Sequence, residues 1–404
     1  MTAGRTAVDV LVAGGGVAGL TAAAAFASAG FSVICVDPEP PVTSAEAEGS
    51  DLRSTAFLQP SVALLERAGL WGRLAGHAAP LAVMRIADAG GEEGVVRETA
   101  DFAARELGAE AFGYNLPNWL LRREMVARLG ELPGAELRAG VAVARVTGRT
   151  GGAIVALSDG SQVGAALVIA ADGRDSLVRE AAGIGVRRWG YGQKAVVFTV
   201  THEQPHEGVS TEIHRSGGPF TLVPLPDREG AHCSAVVWME EGPRAAALAA
   251  MPVEAFEAAV NLRGCGVLGA LRLASPRRVW PIVTQVAARL DGPRTALVAE
   301  AAHVVPPIGA QGLNMSLADI ATLLELCVEA RAAGRDIGGS ELLGRYQRAR
   351  HGEILMRIAG LDALNRAAMA GAKPLRDLRR AGLMALHGVP PLRRAVMRLG
   401  MRAR

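Results

Sequence analysis

At 404 residues the chain exceeds the range of one ordinary domain, so two domains are expected. Half of the residues are apolar and 21% are charged, a composition that feeds a core and excludes a disordered chain. The net charge of +3 is unevenly placed: eleven basic residues against Asp362 and Asp377 lie between Leu355 and Arg404, which leaves the body mildly acidic.

In chain order, Val8 to Ala13 reads as a buried strand, Val17 to Ala29 as a small-residue helix and Phe31 to Val36 as a second strand ending in Asp37. Between the first two lies Gly14-x-Gly16-x-x-Gly19. Glycine at such a turn lets the backbone approach a pyrophosphate, and the helix N-terminus offers free N–H groups with about half a positive charge. An acid about 20 residues on accepts from a ribose, so the unit predicts a dinucleotide site. The uncharged run from Val10 to Val36 is not a membrane span or signal peptide on this reading, because three consecutive glycines break a continuous helix.

Asp51 to Trp71 places an arginine, Arg53, before an amphipathic helix with Leu64, Leu65 and Leu70 inward. Leu81 to Ala87 looks like a strand of another sheet. Leu167 to Ile184 reads as a buried strand ending in Asp172-Gly173, with a helix starting at Asp175 or Ser176 and Arg179 on its first turn. Arg174 reads as a surface charge. From Lys194 to Trp238 the alternation of VVFTVT, the hairpin-like HRSGG, then PFTLVPLPD and SAVVW continue the second sheet. Gly264-Cys-Gly266-Val-Leu-Gly269 also fits the glycine pattern, but it follows a helix and precedes no acid-terminated strand, so it is read as a loop.

Val298 to Ile320 is the densest segment. It holds a strand-end carboxylate (Glu300), His303, the Pro306-Pro307 corner, Gly309 and Gly312, then Asn314 at the entrance of a long helix. Four scattered cysteines, without CxxC or Cys/His spacing, suit a reducing compartment and give no metal site. Cys35 reads as a buried small hydrophobe. In the tail, Leu383, Met384, Val389, Leu392, Val396 and Leu399 are interleaved with Arg393, Arg394, Arg398 and Arg402. Such a tail meets nucleic acid, anionic lipid or an acidic protein, or is a solvated cap.

Taken together, these segments resemble the FAD-dependent aromatic hydroxylases (single-component flavoprotein monooxygenases), and among them most the ubiquinone-biosynthesis hydroxylases, over about residues 7–350. The resemblance implies an α/β fold: a Rossmann-like FAD-binding domain of glutathione-reductase type, an inserted mixed or antiparallel-sheet substrate domain and a C-terminal helical segment. The implied division is 1–80, 118–190 and 285–350 for FAD, 81–117 and 191–284 for substrate, and 351–404 for a basic helical segment.

It also implies site residues. Gly14, Gly16 and Gly19 would receive the FAD pyrophosphate and Asp37 its adenosine ribose. Arg53 would lie beside flavin and pyrophosphate. Asp172-Gly173 would sit near the pyrophosphate and serve NAD(P)H use, with Arg179 as that motif's trailing arginine. Glu300 would bond the ribityl or ribose side. Pro307 and Gly309 would flank the isoalloxazine ring, and Gly312, Leu313 and Asn314 would aim N–H groups at the flavin N1–C2 carbonyl edge. Arg53, Pro307 and Gly309 form the expected catalytic set; His303 is left outside it, and no metal is expected.

The implied reaction uses non-covalent FAD, with NAD(P)H and O2 as co-substrates, to hydroxylate the aromatic ring of a polyprenylated phenol through a flavin C4a-hydroperoxide. Tyr191 and Gln193, and the apolar stretch Phe220 to Leu225, are candidates for lining the substrate. The expected partners are that substrate and O2, a peripheral membrane or biosynthetic-complex contact through the basic C-terminus, and no nucleic acid. The expected location is cytoplasmic, peripheral at the inner membrane. Two departures stand out: Ala299-Glu300 replaces the family's usual Gly-Asp, and Ala310 replaces a common Gly. Hydroxylation of a soluble aromatic, or a non-turnover flavin-binding accessory role, stays open.

Overall fold

A computed structural model describes residues 6–89, 95–215, 217–369, 381–382, 384–385 and 387–401, without the Leu399 side chain. Lys373, Asp377, Leu383 and Arg402 of the basic tail lie outside the described residues.

The chain begins with β1 (Thr6–Ala13), α1 (Val17–Ser28) and β2 (Val33–Asp37), then β3 (Ser54–Leu58), α2 (Gln59–Arg67), α3 (Trp71–Leu74) and β4 (Ala79–Pro80). Next come β5 (Val83–Asp88), β6 (Glu98–Ala103), β7 (Gly113–Pro117), α4 (Asn118–Glu131), β8 (Ala135–Ala139), β9 (Val143–Arg149), β10 (Gly152–Leu157), β11 (Gln162–Ala170) and α5 (Leu177–Ala181). The middle of the chain is β12 (Val186–His202), β13 (Val209–His214), β14 (Pro219–Arg228), β15 (Ala231–Glu241), α6 (Gly242–Ala250), α7 (Val253–Gly264), β16 (Leu271–Leu273) and β17 (Arg278–Ala287). It closes with β18 (Asp291–Gly292), β19 (Thr295–Leu297), α8 (Ala299–Ala302), β20 (His303–Val304), α9 (Gln311–Ala332), α10 (Ser340–Met369) and α11 (Pro390–Met401).

The first sheet runs β18-β19-β11-β1-β2-β8, with β9 and β10 appended. Its centre, β19 to β8, is parallel. β1 and β11 are buried on both faces, which is why they read as continuous apolar runs rather than alternation. α1 is apolar all round because it is buried all round, covered by the sheet, α4 and α9.

The second sheet runs β20-β17-β12-β15-β14-β13-β5-β6, with β16 beside β12. Register assigns its faces. Val196, Phe198, Phe220, Leu222, Val236 and Trp238 pack with Phe256 and Val260 of α7 into a separate core. Phe220 and Leu222, expected to line a substrate tail, therefore point away from the first sheet. Ala195, Val197, Val237, Met239 and Trp280 share the opposite face by cross-strand pairing, and Ala195 and Met239 join the core of the first sheet. A small third sheet, β3-β7-β4, lies between the two. The loop expected at Gly264–Gly269 is one: α7 ends at Gly264 and Cys265 turns left-handed at φ 51°.

α11 docks Met397 among Leu58, Phe102 and Phe112, and Arg393 bonds Glu106 at 2.6 Å. The tail is thus attached to the β6 edge. Among the described residues, no helix is long and apolar enough to cross a membrane.

Candidate functional site

The turn after β1 is closed by backbone against backbone. Gly14 has φ 106°, and a Cβ there would meet the Ala171 carbonyl oxygen at 2.3 Å. A Cβ on Gly19 would stand 1.8 Å from the Gly14 carbonyl oxygen. Gly16, in contrast, faces open space. It is the N-cap of α1 and no side chain caps the helix, so first-turn N–H groups are left for a ligand. At the end of β2, Asp37 accepts from the Gly15 N–H at 2.5 Å and from the Glu39 N–H at 2.8 Å. Burial, then the nearby Asp37, pushes the Cys35 thiol up to about 12, so it behaves as core rather than as a reactive group.

After β11, Asp172 accepts from the Ser176 hydroxyl and the Val178 N–H, and Gly173 turns at φ 89° with open space beside it. Ser176 caps α5 by accepting from the Arg179 N–H at 3.0 Å. Arg179 is buried and donates to the carbonyls of Arg174 (2.8 Å) and Ala301 (3.3 Å), joining this segment to α8. Its Nε has no partner among the described residues. Arg174 is the surface charge expected from the sequence, and it donates to the half-exposed Glu300 at 3.1 Å.

Arg53 is held in plane by Asp51 through two bonds of 2.8 Å, and its guanidinium lies 4.6 Å from the centre of the Trp280 ring. Burial works to raise the Asp51 pKa, but Arg53 and Asn118 outweigh it and hold the carboxyl at about 2. Arg122 of α4 approaches the same carboxylate at 3.9 Å, with its own Nε buried and without a partner among the described residues. Sequence reading missed Arg122, Asn118 and Trp280. A lone Arg on a helix and a Trp on a strand carry no local signal, and only the fold brings them to Arg53.

The densest segment folds differently in detail from the expected strand ending in an acid. β19 stops at Leu297, and Glu300 sits half-exposed in the single turn α8, whose first residue, Ala299, has φ 55°. After β20 and the two prolines come Gly309 at φ 60° and Ala310 at φ 55°. Both alanines that replace a usual glycine thus occupy the left-handed region, which glycine adopts freely and alanine does not.

α9 begins at Gln311, with no side-chain cap at its N-terminus. Asn314 is buried and its side chain is fully engaged. It accepts from the Leu58 N–H (2.8 Å) and Ser61 hydroxyl (2.6 Å), and donates to the carbonyls of Ala56 (2.7 Å) and Ala310 (2.6 Å). It fastens the helix entrance to the β3–α2 segment that follows Arg53. His303 Nε2 lies 2.7 Å from Asp319, while its buried Nδ1 has no partner among the described residues. Tyr191 and Gln193 bond Asp362 (2.6 Å) and Asn365 (3.0 Å) of α10, so they hold that helix rather than present free polar groups to a substrate.

These segments form one rim. Gly14 touches Ala171, the Asp172 segment reaches Ala301 through Arg179, Glu300 acts electrostatically on Arg53, and Asn314 ties α9 to β3. Open space at Gly16 and Gly173, the uncapped N-termini of α1 and α9, and the buried Nε atoms of Arg122 and Arg179, without partners among the described residues, fit a large anionic dinucleotide. Facing the rim is the half-buried side of the second sheet, where Val197 and Val237 lead to Trp280 over Arg53. Among the described residues no group of His, Cys, Asp or Glu could hold a metal.

Residues 7–355 match the family model described as FAD binding domain. The chain is 38% identical over 396 residues to ubiquinone hydroxylase UbiL of Rhodospirillum rubrum, covering 97% of this chain and 89% of the relative. It is 27% identical to the 3-demethoxyubiquinol 3-hydroxylase of Escherichia coli, covering 97% and 98%. The p-nitrophenol 4-monooxygenase PnpA of Pseudomonas putida shares the fold at a TM-score of 0.78, with 20% identity and 97% of each chain covered.

Proposed function

This chain belongs to the FAD-dependent aromatic hydroxylases, a family of flavoprotein monooxygenases, and from that premise we propose that it hydroxylates the ring of a polyprenylated phenol in ubiquinone biosynthesis, with NAD(P)H and O2. The observation that carries the reading is the opposition of the rim and the sheet face. An apolar surface runs through Val197 and Val237 to Trp280, which rests on Arg53 at the rim, so a flat aromatic ring held beside that pair would meet apolar side chains.

What bound FAD supplies is hydride acceptance and activation of O2. The protein's own residues do the rest. Gly14, Gly16 and Gly19 admit the pyrophosphate to the α1 N-terminus, and Asp37 accepts from the adenosine ribose. Asp172-Gly173 and Arg179 order the neighbouring wall. Glu300 accepts from the ribityl or ribose side while Arg174 holds it. Arg53, Pro307 and Gly309 flank the ring system. The N–H groups of Gly312, Leu313 and Asn314 stabilise negative charge at the ring edge, an effect worth roughly 0.3–2 kcal/mol. The apolar sheet face excludes water and orients the substrate. The domain division at 1–80, 118–190 and 285–350 against 81–117 and 191–284 belongs to the same proposal.

The prenyl tail and the membrane are the finer part of this reading. Val389, Leu392 and Val396 lie on one face of the α11 region and are exposed by 47, 48 and 40%, next to exposed Arg394 and Arg398. An apolar stripe flanked by arginine suits an anionic bilayer surface, where a lipid substrate is collected.

Purified protein loaded with FAD tests the reading. NAD(P)H oxidation stimulated by a prenylated phenol, with one oxygen added to the ring, is expected. Stimulation only by soluble phenols would replace the substrate class, and none by either would favour the accessory role. Removing residues after 370 is expected to release the protein from anionic vesicles; equal binding by the shortened chain would end the membrane proposal.

A further inference from the structure

The loop from His303 to Gln311 joins β20 to α9, and both of its ends are tied to one face of α10. At the first end, His303 pairs with Asp319 at 2.7 Å, and Arg350 Nε donates to the other oxygen of Asp319 at 2.8 Å. These three side chains are 2, 0 and 1% exposed. At the second end, Arg357 donates to the Gln311 side-chain carbonyl at 2.9 Å. The Gln311 amide in turn donates to the Gly309 carbonyl at 2.9 Å. Glu353 lies between the two ends, accepting from Arg350 and from Arg357 Nε. Arg350, Glu353 and Arg357 follow one another by three and four residues, so they line one helix face.

α10 is itself anchored on both sheets. Tyr346 donates to the Leu297 carbonyl at 2.7 Å on the first, and Asp362 and Asn365 bond β12 of the second. A buried ion cluster is a poor way to gain stability, since apolar packing of the same volume does as well or better. It is a good way to fix a position. The loop needs fixing: Gly309 and Ala310 are left-handed, two prolines remove N–H donors, and α9 has no side-chain cap.

We propose that Arg357, acting through Gln311, is a positioning residue that holds the Gly309 carbonyl and the first turn of α9 against the redox-active edge of the flavin. The inference rests on the FAD reading above.

The test uses full-length protein with Arg357→Met, Arg357→Lys and Gln311→Leu. Gln311→Leu keeps the Arg357–Glu353 pair and removes only the link to Gly309. The readouts are hydrogen exchange of the 309–314 amides without FAD, and the visible spectrum and reduction potential of the bound flavin. Met at 357 and Leu at 311 are expected to speed exchange about tenfold, the equivalent of one charge-assisted hydrogen bond, to shift the spectrum and to lower the potential. Lys at 357 is expected to recover most of each change. Wild-type exchange, spectrum and potential in Gln311→Leu would overturn the proposal, even if Arg357→Met failed to fold. Should the wild type take up no FAD, the functional reading falls while the exchange data still judge the clamp.

Discussion

Two loops frame the cradle, and they are built differently. Gly14 to Gly19 is shaped by backbone touching backbone: Gly19 abuts the Gly14 carbonyl and Gly14 abuts Ala171, with no side chain needed except Asp37. His303 to Asn314 is shaped by side chains from far along the chain: Asp319, Arg350, Arg357 and the contacts of Asn314 to Ala56, Leu58 and Ser61. A turn of the first kind is rigid wherever glycine allows it. A loop of the second kind is only as well placed as its supports, and it carries the left-handed Ala310 as strain. On the proposed FAD reading, the loop that depends on distant supports is the one assigned to the flavin edge, and the self-supporting turn is the one assigned to the pyrophosphate.

Mutations at the two loops should therefore fail differently. The largest effect is expected at the supports of the second loop. Asp319→Asn removes one of the two carboxylates that pair with the buried Arg350, leaving Glu353, and should cost about 3 kcal/mol in urea denaturation. A loss below about 1 kcal/mol would show that the loop does not lean on this pair. In the first loop, Gly19→Ala forces the α1 start off the turn and should cost up to about 3 kcal/mol and prevent FAD loading. Gly16→Ala is the sharper partner experiment. Its Cβ meets nothing in the protein, so the melting temperature without FAD should stay put while FAD affinity falls. Unchanged affinity would move the pyrophosphate away from Gly16.

Glu300→Gln removes a charge but keeps the shape, and FAD titration should weaken at least about tenfold, equivalent to one charged hydrogen bond. An unchanged titration would mean that Glu300 serves only Arg174. The smallest effect is expected from Ala310→Gly, which relieves a left-handed alanine and should stabilise by about 1 kcal/mol before glycine's extra chain entropy is counted. A clear fall in melting temperature would show that the alanine side chain packs usefully where it is.

The contrast also explains what could be read without coordinates. The glycine turn was legible because its cause is local: spacing, flanking strands and a terminal acid all lie within Val8 to Asp37. The second loop was legible as composition, two prolines and two glycines, but its supports were not. Arg350, Glu353 and Arg357 look like ordinary charges on a solvated helix, and the Arg174–Glu300 pair spans 126 residues. Alternation along Phe220 to Leu225 announced a strand, yet which face meets α7 depends on pairing with β15 and on the helix behind it. Trp280 sits in an exposed stretch of β17 and acquires meaning only opposite Arg53.

The most direct test of the central claim is the quinone profile of lipid extracts from a strain lacking this chain. The account predicts an accumulated prenylated phenol missing one ring oxygen, and return of the normal quinone when the chain is restored. A normal profile in the deleted strain, with no other hydroxylase of this family present, would contradict it.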